Sequence, residues 1–373
     1  MSKVFIEETS LSAIGDAIRA KTGSSDKMSP AQMVTAIGSI TGGGGGTEIE
    51  PIVLSGSQSY GCSGALAAKM IELYPSKIST SGITNAQNMF RYYTGARVPF
   101  VINLSGDCDC SYIFSDTKIT KAPVIQGSMA ACQYMFQNCS YLVDISELAN
   151  YTIKETGRGC SAFQSCKSLR EVPAEVAKRI SYTFSSKSYT SYAHTVRLVS
   201  DCPALENVYG VIPPVYTGTT ALTANMFSYM VDNCHRLTHF TFATNDDGTP
   251  LVRDNYTAQT IDFSGCVGYV VNSYDTGLQY VGITNSTKVT DLTSYEALKD
   301  NPDWWTALSA FSRYNHDSAV ETINSLPDVS SSGGTNTIKF KGTMGSGYGK
   351  AINTMTDAEI AVAAAKGWTV SIT

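Results

Sequence analysis

His235 and His239 are four residues apart, a spacing that places two imidazoles on one face of a helix and there can hold a metal ion. The phrase around them, Cys234-His-Arg-Leu237-Thr-His-Phe240, reads instead as extended chain, where residues four apart share a face but lie about 13 Å apart, too far for one ion. Both are expected as surface histidines. Asp107-Cys-Asp-Cys110 lacks the two-residue spacer and the second Cys pair of a zinc knuckle, so Cys108 and Cys110 read as buried or idle thiols. Asn245-Asp246-Asp247-Gly248 begins like a calcium loop but has no acid at the twelfth position, which leaves a turn. Gly345-x-Gly347-x-Gly349 follows no hydrophobic strand and lacks the dinucleotide spacing. Neither Gly-x-Ser-x-Gly nor His-Glu-x-x-His occurs, and the chain holds only 4 His. No catalytic residue, metal or cofactor is expected; a pair of acids converging from separated loops is the one hydrolytic arrangement that spacing leaves open.

Binding is better signed than catalysis. Tyr182, Phe184, Tyr189, Tyr192 and His194 stand among Ser, Thr and Lys in the longest interval of the central region, the composition of adaptable recognition loops. Tyr182, Tyr189, Tyr192 and His194 are therefore candidate receptor-binding residues. The other reading of the same alternation is an extension of the core along a strand.

The elements that would carry such loops are repeats. Cys139-Ser-Tyr-Leu142-Val-Asp-Ile145, Cys166-Lys-Ser-Leu169-Arg-Glu-Val172, Cys202-Pro-Ala-Leu205-Glu-Asn-Val208 and Cys234-His-Arg-Leu237-Thr-His-Phe240 share one frame, each with a polar residue before the Cys and, in the first two, Phe136 and Phe163 three residues ahead. These Phe, Cys, Leu and closing apolar residues are the expected repeat core. Phe114 to Pro123 fits the frame with Thr117 for Cys, Asn88-Met-Phe90 opens an earlier unit, and Phe263-Ser-Gly-Cys266 a late one. The steps between units are unequal, so irregular coils with insertions on one face are expected. Equivalent Cys of neighbouring coils would lie near disulfide distance, and the sequence leaves a bridge open.

Four segments follow. Residues 1–40 read as a helical hairpin for attachment or oligomerisation, with Leu11, Ile14 and Ile18 on the first helix, and Ser29, Pro30 and Gln32 starting a second that carries Met33, Val34, Ile37 and Ile40. Helices so short are marginal alone, which calls for a partner. Residues 41–48, with Gly42 to Gly46, read as a flexible tether; residues 49–290 hold the repeats; residues 291–373 read as a capping region. There Asp317 to Leu326 and the capping box Thr356-x-x-Glu359 predict helices, Thr337 to Lys341 and Trp368 to Ile372 predict strands, and Trp304-Trp305 reads as an anchor.

With 43% hydrophobic residues the chain of 373 builds a real core, while only 16% charged residues leave a neutral, hydroxyl-rich surface. A net charge of −5 argues against nucleic acid. Acids near the amino terminus and the lack of a long apolar run predict neither a signal peptide nor membrane insertion.

The repeats resemble the BspA-like class of leucine-rich repeat, Tyr134-Met-Phe-Gln-Asn-Cys139-Ser-Tyr-Leu142 being the nearest copy of its phrase. Leu11 to Gly23 with Ser29-Pro-Ala-Gln-Met33, and Thr356-Asp-Ala-Glu-Ile-Ala361 with Lys366-Gly-Trp-Thr-Val370, are similar to phrases at the two ends of structural proteins of bacteriophages that infect Gram-positive bacteria. The resemblance implies an α+β chain: an irregular BspA-like leucine-rich-repeat β-solenoid with an amino-terminal helical hairpin and a carboxy-terminal αβ cap. It also implies a non-enzymatic virion protein of the tail, a fibre or distal component that binds a host-surface glycan or protein, contacts other tail proteins and forms a homo-oligomer, a trimer by analogy with fibres. A bacterial surface adhesin and a glycan-cleaving virion enzyme are the alternatives.

Overall fold

In the first sheet, strands that follow one another in the chain also lie beside one another, all in the same direction. This computed structural model describes residues 16, 18, 50–179, 183–234, 236–266, 270–273, 277–281, 314, 316–340 and 355–373. The first sheet contains β1 (Ile52–Ser57), β2 (Ile78–Asn85), β3 (Ile102–Asp109), β4 (Ile125–Ala131) and β5 (Thr152–Arg158), paired in that order and parallel throughout. Alternation sets their faces. In β2, Ile78, Thr80 and Ile83 point inward, and in β4 Ile125, Met129 and Ala131 do so. Helix α1 (Gly64–Leu73) follows β1 and buries Ala68 and Ile71.

Beyond each of these strands the chain turns through a short corner that drives the repeat phrase inward. Phe90, Phe114, Phe136 and Phe163 stack in a column, with ring centroids 5.5, 5.2 and 6.0 Å apart. Beside it runs a second column of thiols. Cys139, Cys166 and Cys202 each donate Sγ–H to the carbonyl of the Phe one unit earlier (Phe114 at 2.9 Å, Phe136 at 3.1 Å, Phe163 at 3.0 Å), and Cys234 and Cys266 do the same to Val199 at 2.9 Å and Val231 at 3.2 Å. The Cys positions thus carry a small apolar body and a donor to a buried carbonyl, which at Phe136, Phe163 and Val231 also accepts the amide three residues on. Thr117, in the unit without Cys, keeps a hydroxyl 3.2 Å from the Cys139 sulfur. All ten Cys are free and buried; burial pushes the Cys139 and Cys202 thiols up to about 12.

After β5 the strand changes place. β6 (Glu171–Val172), β8 (Asn207–Val211) and β10 (His239–Phe242) form a parallel sheet of order β10-β8-β6, and these strands lie after the Leu of each phrase rather than before the Phe. Val172, Val208 and Phe240 face the core. Helix α2 (Ala174–Ala177) follows β6, and β7 (Thr183–Phe184) pairs with β9 (Val215–Tyr216). A third sheet, β11 (Thr260–Asp262), β14 (Asn336–Phe340) and β15 (Trp368–Ile372), is parallel, and β12 (Val270–Ser273) and β13 (Gly277–Val281) form an antiparallel pair. Helix α3 (His316–Ser325) packs on β10, the Thr322 hydroxyl donating to the Phe240 carbonyl at 2.7 Å, and helix α4 (Asp357–Ala365) packs against α3 and β15. Thr356 and Glu359 form the reciprocal capping box that opens α4, and Trp368, 1% exposed, donates its indole N–H to the Pro327 carbonyl.

The fold class read from the sequence is corrected here. An α+β β-solenoid of leucine-rich repeats with a helical hairpin and an αβ cap implies one strand per coil in one continuous sheet. The described residues are instead a mixed α/β arrangement of several separate, mainly parallel sheets with few helices. The physical reason lies in the unequal insertions: beyond Arg158 they leave a two-residue pair, β7–β9, ahead of the phrase and the longer pairing behind its Leu, so the first sheet stops there. The expected hairpin lies outside the described residues except for Asp16 and Ile18, both helical, as do the Gly42 to Gly46 tether, His235, Trp304-Trp305 and the Gly345 to Gly349 loop.

Candidate binding surface

The corners that join strand to buried phrase use left-handed backbone twice each, four residues apart. One column of such residues is Tyr60, Asn88, Tyr112, Tyr134, Ser161, Arg197 and Tyr229; the other is Gly64, Tyr92, Asp116, Asn138, Ser165, Asp201 and Asn233. From Asn88 to Asp201 the corner amides find a carbonyl in the next unit: Tyr112 donates to Gln133, Tyr134 to Cys160, Asn138 to Gln164 and Arg197 to Ser228. Gly, Asn and Asp enter this conformation cheaply. Tyr does not, yet Tyr60, Tyr92, Tyr112, Tyr134 and Tyr229 hold φ between 54° and 62°.

Their rings form a stripe with two arginines, exposed at Tyr60, Tyr92 and Tyr229 and half-buried at Tyr112 and Tyr134. Tyr112 and Tyr134 stack at 4.6 Å with 13° between planes. The Arg91 guanidinium lies 4.9 Å from the Tyr92 ring centroid and 5.1 Å from that of Tyr112, and Arg197 lies 5.1 Å from that of Tyr229. Tyr92 is 47% and Tyr229 60% exposed. Beside the rings runs a polar row: Arg91 pairs with Asp116 at 3.2 Å, Asn138 donates to Asp116 at 2.8 Å, and Asn233 donates to Asp201 at 2.8 Å. Burial, with Asp201 and Asp262 near, holds the Asp232 carboxyl above its usual range.

The loop singled out from the sequence divides between surface and core. Tyr182 lies outside the described residues. Tyr189 and Tyr192 sit on a short 3-10 turn, Lys187–Tyr192, with Tyr189 exposed and Tyr192 half-buried. His194 turns inward. It is 2% exposed, neither ring nitrogen has a partner in good hydrogen-bond geometry, and burial pushes its imidazole down to about 3. It lines a small cavity with Cys132, Cys160, Tyr151, Val176 and Arg179. As a neutral buried ring His194 is a poor receptor contact, and the alternation in this loop belongs partly to the core.

The other sequence candidates resolve locally. His239 lies on β10, where Nδ1 is 2.7 Å from a Glu321 carboxylate oxygen of α3. Cys108 and Cys110 are both fully buried. Asp247 accepts from the Thr249 amide at 2.9 Å and hydroxyl at 2.6 Å across a turn at Gly248, φ 81°. Among the described residues no group of three or more His, Cys, Asp or Glu is arranged to hold a metal ion, and no helix is long and apolar enough to cross a membrane. The stripe itself was missed from sequence. Its signal was the polar residue before each Cys, which marks the second left-handed corner, with Tyr112, Tyr134 and Tyr229 four residues before such positions. No family model, curated protein or solved structure matches this chain.

Proposed function

We propose that this chain is a non-enzymatic structural protein of a bacteriophage virion, a tail fibre or distal tail component, which attaches the particle to the host envelope through the tyrosine–arginine stripe. The observation that carries this reading is five tyrosines in left-handed backbone. Each such corner costs about 1–2 kcal/mol relative to a residue that fits it. Asn or Gly would remove that cost, so the ring, not the backbone, accounts for the residue. Tyr offers large contact area at little entropic cost, and the neutral, hydroxyl-rich surface suits particle exteriors. The phage-like phrases at both ends favour the virion over a cell surface.

Attachment would be multivalent. Several copies per particle, a trimer by analogy with fibres, turn weak contacts with an envelope glycan or protein into firm adhesion through effective concentration. Other tail proteins are the second class of partner. Antibody raised against residues 50–266 should label particle tails; labelling of uninfected cell walls instead would make the chain an adhesin and remove the virion assignment.

A further inference from the structure

We infer that the ligand of this stripe is a neutral, regularly repeating polysaccharide laid across successive corners, an inference that rests on the attachment reading above. Three features select this class over an anionic wall polymer or a folded protein. The first is charge. Arg91 is already paired with Asp116 at 3.2 Å, and near Tyr229 the corner acids Asp201 and Asp232 accumulate with Asp262. A polyanion would find one cation neutralised and acids beside the other.

The second is shape. Exposed rings at Tyr92 and Tyr229, backed by Arg91 and Arg197, offer flat faces for the apolar side of a pyranose. Amide and carboxylate groups at Asn138 and Asp116, already aligned at 2.8 Å, offer acceptors and donors for adjacent hydroxyls. These groups are held by neighbouring side chains and by corner amides bonded to the next unit, so little ordering remains for binding.

The third is period. From Tyr60 to Tyr229 the corner column makes six steps, and at the usual inter-strand spacing of ~4.8 Å that is roughly 30 Å. A polymer of short repeat can meet this recurring backbone along the whole length, with rings at Tyr60, Tyr112, Tyr134 and Tyr229 and polar groups at Asn88, Ser161 and Arg197. A folded protein surface has no such period.

The test uses the intact chain and cell-wall carbohydrate purified from a panel of Gram-positive bacteria, freed of teichoic acid and protease-treated, together with size-fractionated oligosaccharides released from it. Binding is expected to survive both treatments and to change less than about twofold between 50 and 500 mM salt, where a polyanion would lose orders of magnitude. Affinity should rise with oligosaccharide length up to chains that span the column. Combined Tyr92→Asn and Tyr229→Asn should weaken it by at least about tenfold, with circular dichroism and unfolding midpoint preserved because Asn fits the left-handed corner. Binding lost with protease, steep loss with salt, or affinity independent of length beyond one sugar unit would each overturn the inference while leaving attachment standing. No binding to any wall fraction, treated or untreated, would remove the attachment reading and the inference with it.

Discussion

From Ile52 to Arg158 the paired strand runs ahead of the buried phrase; from Glu171 to Phe242 the three-stranded sheet runs behind it, with the two-residue pair β7–β9 remaining ahead. The two regions therefore hydrogen-bond different segments of the same repeat. What passes through the change is the thiol-to-carbonyl link, made by Cys166 and Cys202 on either side of it, and the pair of left-handed corners. The comparison teaches that strand position is adjustable here, while the buried column and the corners form the constant frame. The stripe belongs to that frame, which is why it runs on past the end of the first sheet to Arg197 and Tyr229.

Core truncations have the largest expected effect in both regions. Phe136→Ala in the first region and Phe240→Ala in the second should each cost about 3–5 kcal/mol in denaturant unfolding, since both rings are fully buried. A loss below about 1 kcal/mol at Phe240 alone would confine the frame to the first sheet.

His194 gives the next effect. Its folded-state pKa lies near 3, below the ~6.5 of an unfolded chain, so below pH 6.5 the unfolded state takes up the proton first. Stability from this group is complete above pH 6.5 and falls by as much as ~1.4 kcal/mol per pH unit as pH drops toward 3. Thermal melts across pH 4–7 should show that slope, and His194→Leu should flatten it. An unchanged slope would place the acid sensitivity elsewhere.

Smaller still, Cys202→Ala should cost about 0.5–1.5 kcal/mol, because the Phe163 carbonyl loses the thiol and keeps the Cys166 amide, and Cys202→Ser less, because a hydroxyl replaces the donor. Equal losses for the two would deny the thiol its donor role. At the corners, Asn138→Ala should cost about 1 kcal/mol and Asn138→Gly less. Should Ala be tolerated as well as Gly, left-handed backbone is not what fixes the corner.

Much of the buried frame was legible in the sequence, because thiol, Leu and Phe recur at fixed spacing and each of those residues is buried. Local rules also read well in the tail: Thr356 and Glu359 form a capping box, and Trp368 to Ile372 is a strand. The sheets were not legible. Strand pairing depends on which stretch of an irregular insertion comes level with its neighbour, and nothing in Glu171-Val172 or Thr152 to Arg158 alone states that. The stripe was hidden for a different reason. Tyr112 and Tyr134 look like ordinary aromatics until the backbone is known to be left-handed, and Tyr189, Tyr192 and His194 drew attention by density although His194 lies inside. Sequence shows how many aromatics a loop has, not which way each one faces.

The central claim is that rings held at strained corners are there to bind. Wall-binding affinity and unfolding free energy, measured together for the intact chain and for Tyr229→Asn, test it most directly. The account predicts affinity reduced several-fold or more while stability is unchanged or raised by up to about 1 kcal/mol. Undiminished affinity in a variant of equal or greater stability would contradict it.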